Sequence, residues 1–224
     1  MIIYFISGLG ADERVFERLQ LPSGYEMRHI RWEPVKIDQS IVSYARQLAT
    51  NIDASKPFML AGLSFGGIIA AEICKFLRPD KLILFSTVKT AAELPALYRL
   101  AGSLKLYRIL PRKIFSVMLP FLYWFLGATD EAGRKLISSY LEHMDPVFLK
   151  WAVREISCWK NSDVFQPHIH IHGSKDRVFP IGLVNAGETL DEGTHFSVFY
   201  EADRINRILA QELSIPKQER SICS

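Results

Sequence analysis

Short, unbroken apolar runs alternate along this chain with segments of helical period, and that alternation narrows the fold more than any other feature. Ile2–Ile6 is rich in β-branched and aromatic residues and ends at Ser7-Gly8-Leu9-Gly10; Phe58–Ala61 and Lys81–Phe85 read as further buried strands, and Ile169–Ile171 also lies in a strand. Such runs suit strands covered on both faces. Between them, Ser40 caps a helix whose Ile41, Tyr44, Ala45, Leu48 and Ile52 share one face. Phe65–Leu77 keeps helical spacing, with small residues at Gly66, Gly67, Ala70 and Ala71, until Pro79 stops it. Glu201–Leu213 carries Ile205, Ile208, Leu209 and Leu213 on the face of a last helix. Strands joined through helices run parallel. The expected fold is therefore α/β, a doubly wound, parallel-dominated sheet with its working site outside the carboxyl ends of the strands.

A chain of 224 residues buries roughly 70% of its unfolded surface, enough for one substantial core. Residues 91–163 hold no convincing strand but abundant Leu, Tyr, Phe and Trp at helical spacing, which predicts a helical cap inserted into a core made of residues 1–90 and 164–224. Ser214–Ser224 reads as a polar tail.

Composition removes several classes of function. With 27 Lys+Arg against 24 Asp+Glu, the net charge is only +3, and no dense basic block is present to neutralise a run of phosphates, so nucleic acid is not an expected partner. Cys74, Cys158 and Cys223 are odd in number and far apart, which suits a reducing, cytoplasmic setting rather than a disulfide scaffold. The N-terminal run lacks a basic flank and continues into Asp12 and Glu13, as a buried strand does and a secretion signal does not. Ile114–Ala128 is uncharged but interrupted by Pro120 and shorter than the ~20 residues a spanning helix needs. Lys89–Leu126 carries Lys89, Arg99, Lys105, Arg108, Arg112 and Lys113 against Glu93 alone, so weak contact of the cap with a membrane surface is expected.

The chemistry is concentrated in short motifs. Gly62-Leu63-Ser64-Phe65-Gly66 fits G-x-S-x-G and lies between a strand and a small-residue helix, the context in which that pattern exposes a serine at a tight corner. A serine hydroxyl needs a base, and the base needs a third group to orient it. His172-Gly173-Ser174-Lys175-Asp176 ends a strand with an acid, and Gly193-Thr194-His195 places a histidine before the last helix. Ser64, Asp176 and His195 thus follow the chain order nucleophile, acid, base. The oxyanion of acyl transfer requires preorganised N–H donors, expected from Phe65 and, in the first glycine loop, Leu9.

These motifs together resemble the α/β-hydrolase superfamily, in its serine-hydrolase branch with a helical cap after the strand Lys81–Phe85. The resemblance covers nearly the whole chain and implies a serine esterase or related acyl hydrolase, acting without a cofactor on a small-molecule ester. Thioesterase, amidase or C–C bond hydrolase activity uses the same triad, and a ligand-binding protein that retains it without turnover is a further alternative. The apolar cap leads to an expectation of medium-length acyl chains. Three departures stand out: the chain opens directly at the oxyanion-loop strand, which implies a shortened sheet. Ser7 stands where many relatives have histidine. Asp176 and His195 lie close in sequence, so a strand near Glu188–Asp191 must follow a brief connection. His168, His170 and His172 alternate along one strand face, but without carboxylate or cysteine neighbours they are read as hydrogen-bonded histidines rather than metal ligands. Trp151 and Trp159 are read as core, and neither a dinucleotide fingerprint nor a P-loop is present.

Overall fold

The computed structural model describes residues 1–109 and 118–214; Arg112, Lys113, the start of the Ile114–Ala128 run, Cys223 and nearly all of the Ser214–Ser224 tail lie outside the described residues. Its strands are β1 (Ile2–Ile6), β2 (Glu26–Ile30), β3 (Phe58–Leu63), β4 (Leu82–Phe85), β5 (His168–Gly173) and β6 (Glu188–Leu190). They form one six-stranded sheet in the order β2-β1-β3-β4-β5-β6. Every pairing is parallel. The helices are α1 (Ile41–Ala49), α2 (Phe65–Ile73), α3 (Ala96–Ser103), α4 (Leu119–Leu126), α5 (Glu131–Glu142), α6 (Pro146–Ser157), α7 (Ser197–Tyr200) and α8 (Ala202–Ser214).

Side chains alternate across the sheet and feed two cores. Tyr4, Ile6, Leu60, Leu82 and Leu84 meet α1, α2 and the α6 residues Phe148 and Trp151 on one face. Ile3, Phe5, Ala61, Ile83 and Ile171 meet Val15, Phe16, α5, α7 and α8 on the other. The central strands β1, β3 and β4 are apolar at every position, as burial on both faces requires, while β5 also buries His170 and His172. β2 is the exception that the sequence reading does not contain. Glu26-Met27-Arg28-His29-Ile30 is an edge strand with mostly uncovered side chains, so no apolar run marks it.

Chain direction across the sheet reverses between β1 and β3: β1 leads outward to β2, and the chain returns on the other side of β1 as β3. Loops leaving the carboxyl ends of those two strands diverge and leave a crevice. Residues 86–167, between β4 and β5, contribute α3–α6 and no strand among the described residues. Trp151 and Trp159 are buried; their indole N–H groups donate to Gln39 O and Glu72 Oε1. No described helix is long and apolar enough to cross a membrane.

Candidate active site

Ser64 ends β3 and opens α2 at φ 52°, ψ −120°, a backbone conformation that side chains rarely adopt. Such a residue costs on the order of 1–3 kcal/mol and persists only where its surroundings over-determine it. Here the Ser64 N–H donates to Phe85 O at 3.0 Å and the Thr87 hydroxyl donates to Ser64 O at 2.6 Å. The corner closes only because two flanking residues have no side chain. A Cβ at Gly62 would lie 2.5 Å from Gly66 O, and one at Gly66 would run into the carbonyl oxygens of Ile6 and Ser7.

His195 Nε2 lies 2.9 Å from Ser64 Oγ, and His195 Nδ1 lies 2.8 Å from Asp176 Oδ2. The structure therefore brings all three predicted residues together in one hydrogen-bonded line. Asp176 Oδ1 is occupied by the N–H groups of Val178 and Phe179, at 2.8 and 2.9 Å, which leaves Oδ2 for the imidazole. Both loops are short. No α-helix separates β5 from β6, only a 3₁₀ turn at Ile181–Leu183, and this accounts for the close spacing of Asp176 and His195. Ser174 N–H donates to Leu190 O and Lys175 N–H to Gly193 O, at 2.9 and 2.7 Å, so the acid loop and the histidine loop are stitched to each other.

The Ser7–Gly10 loop sits across Ser64, with Gly8 near its side chain. Ser7 Oγ donates to Ala11 O at 2.6 Å, which closes the loop on itself. Gly8 O accepts from Ala11 N–H and from the Trp32 indole N–H, both at 3.0 Å. In a trans peptide the N–H points opposite to the C=O, so a pinned Gly8 carbonyl fixes the direction of the Leu9 N–H. Neither the Leu9 nor the Phe65 N–H takes part in the turn, loop or cap hydrogen bonds of the described residues. The Trp32 ring stacks on Phe65, centroids 5.5 Å apart and 16° from parallel. Trp32, Thr87 and Tyr98 belong to no motif; their roles arise from contacts between segments distant in sequence.

Ser64 and His195 open into a cavity of about 430 Å³. Its walls are almost wholly apolar: Leu9, Val15 and Phe65 from the core, with Leu122, Met144 and Val153 among those from the α3–α6 segment. Tyr98 also lines it; burial raises its phenol to about 12, so the ring stays uncharged.

The β5 histidines serve the framework. His168 Nδ1 faces Phe165 O at 2.9 Å, His170 Nε2 faces Thr87 O at 3.1 Å and His172 Nε2 faces Phe179 O at 2.7 Å. His172 Nε2 is also 3.4 Å from Asp176 Oδ2, beneath the acid. Burial, assisted by His172 and Lys89, pushes His170 down to about 3. Burial likewise lowers His172. Both rings are neutral at pH 7 and carry the proton on Nε2, facing a carbonyl.

Neither a protein-family model nor a curated protein sequence matches the chain. Solved structures do. An esterase from Exiguobacterium antarcticum is similar with a TM-score of 0.77 at 15% identity, over 96% of this chain and 92% of that one. A thermophilic esterase from Thermogutta terrifontis gives 0.71 at 15%, over 95% and 89%. A thioesterase from the prodiginine biosynthetic pathway in Streptomyces coelicolor gives 0.64 at 14%, over 95% and 90%. With the parallel sheet and the serine at the β3–α2 corner, these likenesses show that the chain has the α/β-hydrolase fold.

Proposed function

We propose that this protein is a serine hydrolase that cleaves a carboxylic ester of an apolar acyl group through an acyl-enzyme. The observation that carries the reading is the hydrogen-bonded line Ser64–His195–Asp176 opening directly into an apolar cavity. As the Ser64 oxygen attacks the carbonyl carbon, its proton passes to His195 Nε2. The carbonyl oxygen becomes an oxyanion held by the Leu9 and Phe65 N–H groups. His195 then gives that proton to the leaving alkoxide as the C–O bond breaks, and Ser64 keeps the acyl group. Water enters, loses a proton to His195 and attacks the ester carbon. The proton returns to Ser64 Oγ and the carboxylic acid departs. Asp176 keeps the imidazole in the tautomer with Nε2 free to accept, and stabilises the imidazolium. The α3–α6 segment acts as the cap that shapes the acyl pocket.

A fluorophosphonate probe tests this directly. Intact mass should show one adduct on the wild type and none on Ser64→Ala, and loss of Ser64 or His195 should lower kcat by several orders of magnitude. No adduct on either protein, with saturable ligand binding unaffected by Ser64→Ala, would overturn hydrolysis in favour of a binding role. Neighbours of this fold include esterases and a thioesterase, so matched oxygen esters and thioesters of one acyl chain identify the bond.

A further inference from the structure

α4 is uncharged and apolar apart from the Tyr123 hydroxyl, yet none of its residues is buried. Phe121 is 47% exposed and Trp124 55%. A helix apolar on all sides belongs in a protein interior or in lipid. α3 repeats the anomaly as a stripe: Leu97, Leu100 and Leu104 recur at helical spacing with exposures of 70%, 53% and 61%. Both helices touch the loop that follows Asp176. Tyr98 Oη of α3 donates to Val178 O at 3.0 Å, and Arg177 donates to Trp124 O of α4 at 2.9 Å while its guanidinium lies 4.4 Å over the Trp124 ring. Residues 177 and 178 directly follow Asp176, and both helices line the apolar cavity.

Along and just after α3 the described charges are positive. Arg99, Lys105 and Arg108 are exposed along and just after α3, Lys150 reaches Arg108 O, and residues 94–109 contain no acid. Large apolar side chains framed by cations fit a surface whose headgroups are anionic and whose interior is hydrocarbon. They do not fit a second copy of the chain, because a two-fold contact through this face would set the same cations against each other.

We infer that α3 and α4 form a docking surface for an anionic lipid–water interface, with Leu97, Leu100, Leu104, Phe121 and Trp124 among the acyl chains and Arg99, Lys105, Arg108 and Arg177 at headgroup level. Acyl substrates then pass from the lipid phase to the cavity without crossing bulk water. Adsorption needs no turnover, so this inference stands or falls separately from the hydrolase reading.

The test is sedimentation of the full chain with vesicles of phosphatidylcholine and of phosphatidylcholine mixed with phosphatidylglycerol. The wild type should pellet with the anionic vesicles only, less so as salt rises, with a blue shift in tryptophan emission that Trp124→Phe removes. Replacing Arg99 and Lys105 together by Gln should lower the partition coefficient about 30-fold. Replacing Leu100 and Leu104 together by Gln should lower it about tenfold or more, with the thermal midpoint unchanged. Three results would overturn it: wild type left in the supernatant with both vesicles; leucine variants that partition like wild type, which reduces the surface to a polyanion site; or a concentration-dependent dimer that the leucine changes dissolve.

Discussion

Trp32 reaches both candidate oxyanion donors at once. Its indole N–H holds the Gly8 carbonyl, which sets the Leu9 N–H, and its ring lies flat on Phe65. Trp32→Phe keeps the stacking and removes only the donor, so it is expected to lower kcat about 10- to 100-fold, the cost of a small misplacement at a preorganised site. KM should hardly change. A boronate that mimics the tetrahedral state should lose affinity in the same proportion, while a non-reactive acyl ligand should not; equal loss of both would make Trp32 merely structural. Legibility also divides residue by residue. Ser64, Asp176 and His195 stand in local patterns whose chemistry requires those neighbours, whereas Trp32 acts on Gly8 across a separation of 24 positions. Ser7 was legible only as a departure; its hydroxyl closes the Ser7–Gly10 loop onto Ala11.

Among the elements, those whose burial demands an apolar residue at each position announce themselves, and those on the margin do not. β1, β3 and β4 are continuous apolar runs, while β2 hides because an edge strand tolerates Glu26, Arg28 and His29. The β3–α2 corner is legible for a steric reason, and Gly66→Ala tests it. With the Ile6 and Ser7 carbonyls in the way of a Cβ, the variant should fail to accumulate as folded protein or lose labelling at Ser64 altogether. β5 makes a different prediction. His170 titrates near 3 in the folded chain against about 6.5 unfolded, so the unfolded chain binds the extra proton across that window. Stability is fully present above about pH 6.5 and falls by about 1 kcal/mol per pH unit on acidification toward 3. His170→Gln, which can still donate to Thr87 O, should flatten the dependence of Tm on pH between 6.5 and 4; an unchanged slope would assign the acid sensitivity elsewhere.

At the scale of the whole molecule, Ser64, Asp176 and His195 follow β3, β5 and β6 and meet because every strand is parallel, which places all the carboxyl ends on one edge of the sheet. That the site lies outside the carboxyl ends of the strands was readable from the alternation of strands and helices. The cavity's volume was not, since it depends on how α3–α6 pack over the sheet. A cavity of about 430 Å³ with so few polar groups should reward each added methylene of an ester. Rates as kcat/KM are expected to climb from acetate toward octanoate by up to about fourfold per methylene. Val153→Phe, which fills part of the wall, should move the optimum to shorter chains; a steady decline from acetate onward would contradict an acyl pocket. The bonds that join the acid loop to the histidine loop have a further consequence. Because Lys175 N–H rests on Gly193 O and Ser174 N–H on Leu190 O, neither loop can open alone. Their amides should exchange with deuterium at one common rate, and the protein should lose the Ser64–His195 and His195–Asp176 contacts together, without an intermediate that keeps one and has lost the other.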